Sequence, residues 1–355
     1  MRRSWTFLPM LLLAVAGCRR DPSWPADAAP APGMPFSLAL PWWADDGVHP
    51  ARIPADNPFT AAGVELGRRL FYEKALSDDF SMSCGTCHMQ EFAFGDQAIV
   101  PMGTDGSQGR RNAPPIINVL WHEVLFWDGR SPTLEDQALH PVRSPVEMRN
   151  SWPVVEQRLR DDPRYPPLFK AAFGSEAIDS LRVTKAIAQF QRTLLSFNSR
   201  FDRWHYLGEE NALTEQEQRG FDLFMGPAHC VDCHRPPHFH DLALRNIGLP
   251  PMGNDAGQEE VTGLPQHRGR FKTTTLRNIA VTAPYMHDGR FATLEQVIDF
   301  YADQVQQPPN LDPHMLHFVN GEVQLSPQDR ADLKAFLLTL TDEHFLTDPR
   351  FADPH

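Results

Sequence analysis

The chain has 355 residues, 41% of them hydrophobic, with a formal net charge of -12. That length accommodates two domains with separate cores, and the acidic balance argues against nucleic acid as a partner. The 33 prolines call for long, ordered loops.

Arg2 and Arg3 precede an apolar run from Phe7 to Ala16. The run is too short to span a bilayer and has the shape of a signal peptide. It ends Val15-Ala16-Gly17-Cys18, which resembles the bacterial lipobox, whose cysteine is lipidated and becomes the first mature residue. Residues 1–18 therefore read as a signal peptide with lipobox and Cys18 as the lipidation site, plain signal cleavage being the alternative. The expected location is the periplasm, as a membrane-anchored lipoprotein. Loss of residues 1–17 removes Arg2 and Arg3 and nothing acidic, taking the charge from -12 to -14. Such a surface steers a small basic electron carrier, or simply keeps the protein soluble. Residues 19–55, rich in Pro, Ala and Asp without periodicity, read as a tether.

A helix is expected from about Ala61 to Lys74, with Val64, Leu66, Leu70 and Phe71 on its apolar side. Cys84-Gly-Thr-Cys87-His88 follows. Two thiols three apart with a histidine after the second form the c-type haem attachment pattern. The sulfurs add to the porphyrin vinyl groups, and the next imidazole reaches the iron as proximal ligand. A structural zinc half-site or a redox dithiol also uses two cysteines at this spacing. The pattern recurs at Cys230-Val-Asp-Cys233-His234, and these four thiols with Cys18 are all the cysteine present. Two covalently bound c-type haems account for that arrangement, and export agrees with it.

Beyond the first motif, a loop runs through Asp96, Pro101 and Gly109 to Arg111-Asn112-Ala113-Pro114, and Leu125-Phe126-Trp127-Asp128-Gly129-Arg130 precedes a helix start at Thr133. Thr133 with Asp136 is a variant of the capping box, and Thr214 with Glu217 is a full one. Helical periodicity marks Val154–Leu159 and Val183–Leu195, and later helices begin at Thr293 and at Ser326-Pro327, the last ending near Leu340. No sustained alternation marks a large sheet. The fold class is mainly α.

The two halves repeat each other. A Leu70-Phe71 helix end matches Leu223-Phe224, Arg111-Asn112 pairs with Arg277-Asn278, and Trp127-Asp-Gly-Arg-Ser-Pro-Thr-Leu-Glu faces His287-Asp-Gly-Arg-Phe-Ala-Thr-Leu-Glu at an offset of 160. This is a duplicated haem-binding helical domain. The domains divide as 56–200 and 201–345, with a tail at 346–355.

The runs Arg111-Asn112-Ala113-Pro114, Phe126-Trp127-Asp128-Gly129-Arg130, Gln137 and Val146-Glu147-Met148 resemble the bacterial di-haem cytochrome c peroxidase family, which includes the methylamine-utilisation enzyme MauG. So do Leu276-Arg277-Asn278 and Thr282-Ala283-Pro284-Tyr285-Met286-His287. The match covers about residues 60 to 342. It implies two tandem cytochrome c-like haem domains, an N-terminal peroxidatic one and a C-terminal electron-transfer one, with a calcium site between the haems. It further implies that Glu147 and Gln137 line the open face of haem 1. There a carboxylate can move a proton between the oxygens of a peroxide, and an amide can hydrogen-bond the bound oxygen. Trp127 matches the tryptophan between the haems, and Asn112 with the carbonyls of Thr282 and Pro284 matches the calcium ligands, hard oxygen donors suited to that ion. His88 and His234 are the expected proximal iron ligands.

The chain departs from the family pattern in two places. The histidine that often closes haem 1 shortly after its motif is missing, since none occurs between His88 and His122, and His122 stands outside the family position. The usual second ligand of haem 2 is methionine, fourteen residues after the equivalent of His287. Tyr301 stands there, as in MauG. A phenolate lowers the potential of ferric iron, whereas a thioether raises it. Met286 and Met315 are the alternative ligands. The offset of 160 places Pro141, which cannot ligate, opposite Tyr301 in the first half.

The leading expectation is a peroxidase reducing hydrogen peroxide at haem 1 with electrons passed through haem 2 from a cytochrome c or similar carrier. Alternatives are a MauG-like oxidase that modifies a partner protein, favoured by Tyr301, and a non-catalytic di-haem electron carrier. Expected partners are hydrogen peroxide, a small electron-donor protein, the membrane only through lipid at Cys18, and a second copy in a homodimer.

Overall fold

The computed structural model describes residues 34 to 355 apart from 46 and 48. The signal peptide, Cys18 and the first part of the tether lie outside the described residues. No helix among the described residues is long and apolar enough to cross a membrane.

Each half is built on a crossing of two helices. In the first, Ala61–Tyr72 starts at Thr60, whose hydroxyl accepts a hydrogen bond from the Gly63 N–H. It buries Leu66, Leu70 and Phe71 and crosses Ser180–Gln191 at Gly67, where an added Cβ would lie 1.9 Å from the Ala186 carbonyl oxygen. In the second, Glu215–Met225 crosses Pro327–Leu338 at Gly220, where an added Cβ would lie 2.0 Å from the Asp332 carbonyl oxygen. Both crossings need glycine for the backbones to touch. The repeated Leu-Phe ends thus belong to a longer repeat that begins with glycine three residues earlier.

Capping follows the sequence. Thr214–Glu217 is a reciprocal box, as are Thr293–Gln296 and Ser326–Asp329. At Thr133 only the hydroxyl accepts, from the Asp136 N–H. The first helix stops at Tyr72 rather than Lys74, because the Glu73 carboxylate accepts from the Ala75 N–H and starts a separate 3-10 turn, Lys74–Leu76.

The repeat also holds in the backbone. Asn118 and Asn278 both have left-handed φ (53° and 57°) and each opens a 3-10 turn. Phe126 and Met286 share positive φ, and the bridges Leu125–Ser131 and Tyr285–Phe291 close equivalent loops. One sequence pairing is corrected here. The counterpart of Asn278 is Asn118, at the offset of 160, and not Asn112. Both amides meet Ser196 at the domain junction: Asn118 exchanges hydrogen bonds with its backbone, and Asn278 Nδ2 donates to its hydroxyl at 2.9 Å. Beside them Arg277 and Asp202 form a two-pronged ion pair, 2.8 Å on each arm, with both side chains fully buried. Among the described residues the one paired sheet is a two-stranded ribbon, Leu244–Arg245 with Phe271–Lys272.

Two stretches assigned to a tether and a tail pack on the body. Trp43 stacks on Tyr206 with centroids 5.1 Å apart, and Ala44 is buried with Leu120 and Trp121. At the other end, Phe351 of the tail, with Phe345, the last residue assigned to the second domain, enters the first domain's core against Phe94. Tyr72 Oη donates to the Phe351 carbonyl and Arg68 Nε to the Ala352 carbonyl, each at 2.7 Å. Each buried phenylalanine contributes about 1.5–3 kcal/mol, so the chain's end fastens the first domain.

Candidate haem centres and the space between them

Cys84–Cys87 forms one helical turn, in which Thr86 Oγ1 accepts from the Ser83 N–H at 3.0 Å. His88 follows, with Nδ1 2.7 Å from the carbonyl oxygen of Phe94. In the second motif His234 Nδ1 lies 2.8 Å from the Phe239 carbonyl oxygen. Phe94 and Phe239 both take positive φ, 59° and 56°, which turns the carbonyl toward the ring. A carbonyl only accepts, so the proton sits on Nδ1 and the Nε2 lone pair is left for a metal. Burial holds both imidazoles neutral by lowering their pKa values. Burial also pushes Cys84, Cys87 and Cys230 up to about 12, which disfavours the thiolate that a redox dithiol needs. Neither cysteine pair belongs to a compact group of three metal-type side chains among the described residues, as a structural zinc site would require. The donor set fits haem attachment.

Each motif opens into a cavity. The first, of about 200 Å³, is lined by Cys84, Cys87, His88, Gln137, Pro141 and Glu147 among others. The second, of about 440 Å³, is lined by Cys230, Cys233, His234, Val297, Tyr301 and both Met286 and Met315. One helix of each copy lines the cavity along with the histidine. In Leu134–Arg143, Gln137 and Pro141 stand one turn apart, at positions equivalent to Val297 and Tyr301 at the end of Leu294–Asp299 and in the π-turn Phe300–Gln304. The same scaffold therefore presents an amide and a non-ligating proline to the first cavity, and an apolar group and a phenol to the second. Burial, followed by the neighbouring thiols Cys233 and Cys230, pushes the Tyr301 phenol upward, so without a metal it stays protonated.

Glu147 sits in the turn after that helix. Its N–H donates to the Ser144 carbonyl and its carbonyl accepts from the Thr104 N–H. Gly103 packs so close that an added Cβ would lie 2.6 Å from the Val146 carbonyl group. Burial raises the Glu147 pKa and the Arg130 charge partly opposes it. Arg130 itself lies over the Phe126 ring at 3.4 Å and pairs with Asp128 at 3.0 Å.

Four residues line both cavities: Asn112, Pro115, Trp127 and Lys272. Trp127 Nε1 donates to the Asn112 carbonyl at 2.8 Å, and the Lys272 N–H donates to the Trp127 carbonyl at 2.7 Å. Asn112 Nδ2 donates to the Ala98 carbonyl, and Thr282 and Pro284 share the second cavity with it. The structure thus gathers all the expected site residues around two cavities with Trp127 in common, Cys18 lying outside the described residues.

A family model described as di-haem cytochrome c peroxidase matches residues 61–211. The chain is 41% identical over 293 residues to the methylamine utilization protein MauG of Methylorubrum extorquens, covering 82% of this chain and 81% of that protein. It is 34% identical to the cytochrome c551 peroxidase of Nitrosomonas europaea, covering 88% and 89%. The chain belongs to the di-haem cytochrome c peroxidase family. Among solved structures, a MauG-like protein associated with microbial copper homeostasis superposes with a TM-score of 0.79 at 39% identity, over 90% of this chain and 99% of that one. As a member of this family the chain is a peroxidase-type oxidoreductase with two c-type haems in tandem, mainly helical domains.

Sequence reasoning missed Lys272, His240 and Arg130. Lys272 is buried and its ammonium is depressed to about 8 by burial. His122 lines the first cavity, buried, with its ring 5.0 Å from that of His240, and neither ring nitrogen of either histidine has a hydrogen-bond partner. These contacts join residues more than a hundred positions apart, so no local pattern shows them. Arg130 stands in the Asp-Gly-Arg turn shared by the two halves, where Arg290 matches it, and the repeat alone gave it no role.

Proposed function

We propose that the protein reduces hydrogen peroxide in the first cavity, with electrons entering through the second. When bound, haem 1 supplies the iron at which the O–O bond is reduced, and haem 2 stores and relays electrons. The observation that carries this reading is the asymmetry of the two copies. Besides His88 the first cavity presents Gln137, Pro141 and Glu147, a polar pair suited to a peroxide and a proline that cannot ligate, whereas the second presents Tyr301 and two methionines, candidate second ligands, beside His234.

Reduction of peroxide to two waters takes two electrons and two protons. Glu147, held at the first cavity with a raised pKa, takes a proton from the inner oxygen and returns it to the outer one, which then leaves as water. Gln137 orients the peroxide through its amide. Arg130, beside Glu147, keeps the carboxylate from being protonated permanently. Trp127 lines both cavities and is the bridge for charge between them. Asn112, with the carbonyls of Thr282 and Pro284, is the proposed calcium site that keeps the junction in register. The electron donor is a small carrier such as a cytochrome c, drawn to the acidic surface. The proposed site of action is the periplasm, with a lipid anchor at Cys18.

Tyr301 supports a second reading, a MauG-like oxidase that applies the oxidising equivalents to a residue of a partner protein. Steady-state peroxide turnover with a reduced cytochrome c tests the first reading. Absence of turnover, together with peroxide-dependent modification of a co-purified protein, transfers the assignment to the second.

A further inference from the structure

Outside both cavities' chemistry, the turn before the second haem motif carries a set of metal-type ligands. His229, immediately before Cys230, takes a left-handed backbone conformation with φ 53°, unusual for a non-glycine residue. Its Nδ1 lies 3.0 Å from Asp232 Oδ2. His317, from the short helix Leu316–Val319, stacks on the His229 ring with centroids 3.9 Å apart and planes at 9°. Its Nδ1 is 2.6 Å from Glu322 Oε2. One ligand atom from each of His229, Asp232 and His317 lies within 4.8 Å of the others. All are partly exposed and able to adjust.

The first copy has nothing of the kind. Ser83 and Thr86 occupy the positions equivalent to His229 and Asp232, and serve only to cap the turn that carries Cys84 and Cys87. The copies therefore differ here: where the first carries two hydroxyls, the second carries an imidazole and a carboxylate, with a second imidazole across from them.

We propose that His229, Asp232 and His317 bind a divalent late first-row transition metal of the zinc or copper class. His229 Nδ1 and Asp232 Oδ2 are 3.0 Å apart and need part by only a few tenths of an ångström to reach the roughly 3.4 Å between two ligand atoms of a tetrahedral zinc about 2.0–2.2 Å from each. On binding, the proton shared by this pair is released. Glu322 holds the His317 proton on Nδ1, leaving Nε2 as the third donor, in the carboxylate–histidine arrangement usual behind metal-bound imidazoles. Two imidazoles favour zinc or copper over calcium or magnesium, and copper binds the more tightly. Because His229 also lines the second cavity, the metal stands beside the haem 2 attachment turn.

The test is equilibrium dialysis of the tag-free holoprotein against Zn(II) with excess calcium present, followed by elemental analysis with iron as the internal count. The expected result is one zinc per two irons. His317→Ala and Asp232→Asn should weaken zinc binding at least about tenfold, and Glu322→Gln by roughly 10- to 100-fold. His344→Ala, at an exposed histidine elsewhere, should bind as wild type. Two haems per chain in each variant establish that it folded and matured. Wild-type zinc affinity in His317→Ala, or no zinc retained by the wild-type protein, overturns the assignment. The readout is metal content, so it stands apart from whether peroxide is turned over.

Discussion

Trp127 and His287 occupy equivalent positions in the two halves, and their rings face each other across the domain junction with centroids 6.4 Å apart. Duplication placed the same turn, aromatic-Asp-Gly-Arg, in both domains, and packing brought the two turns together. The contact is backed by the main chain, since the Asn112 N–H donates to the His287 carbonyl at 2.8 Å. His287 also lies flat on Phe271, 3.5 Å between centroids, and burial there lowers its pKa to about 4. The ring opposite Trp127 is thus neutral at physiological pH and adds no positive charge of its own beside the indole.

Trp127→Phe should leave both haems attached and slow charge exchange between them. Stopped-flow absorbance after mixing the reduced protein with peroxide measures it. Unchanged inter-haem kinetics would remove Trp127 from the path.

Glu147→Gln should lower peroxide turnover on the order of 100-fold or more with haem content intact. The wild-type carboxylate acts as a base, so its rate falls as pH drops through its pKa. Burial raises that pKa, and the acid limb of kcat/KM should lie above the ordinary carboxylate range. The limb should vanish in the variant, and a variant that keeps both the rate and the limb excludes Glu147 as the proton carrier.

Tyr301→Met should raise the haem 2 potential and introduce a thioether-to-iron absorption at the red edge of the spectrum. Redox titration of both proteins decides the ligand. A wild-type protein that already shows the band, and loses it in Met315→Ala or Met286→Ala, reduces Tyr301 to a wall of the cavity.

Cys84→Ser and Cys230→Ser should each lose covalent attachment at one haem only. A pyridine haemochrome assay on denatured protein counts them. Two covalent haems in either variant contradict the motif assignment.

Asp202→Asn should destabilise the protein by about 3–5 kcal/mol, because it leaves the buried Arg277 guanidinium without its counter-charge. Chemical denaturation of the holoprotein measures the loss. Burial pushes the Asp202 carboxyl up, but Arg277 and the Ser199 hydrogen bonds outweigh it and hold the pKa below its ordinary value. The pair's contribution is therefore present above the ordinary carboxylate range and disappears as pH falls through the depressed value. That acid-dependent loss should be absent in the variant.

The covalent chemistry was legible in the sequence because it is local. Cys84, Cys87 and His88 act within a single turn of chain, as do Cys230, Cys233 and His234, and short spacing encodes short distance. The helix starts at Thr214, Thr293 and Ser326 were legible for the same reason, since a cap reaches only three residues. The internal offset of 160 carried the duplication and, with it, the contrast of Pro141 with Tyr301. Residues separated by long loops were beyond that reach. Lys272 beside Trp127, Phe351 in the first core and His317 on His229 are brought together by packing of elements more than eighty residues apart. Their pairing depends on which apolar faces find each other, as Gly67 finds Ala186 and Gly220 finds Asp332. A glycine in a helix shows only that a close approach is allowed, and the folded chain alone decides what approaches.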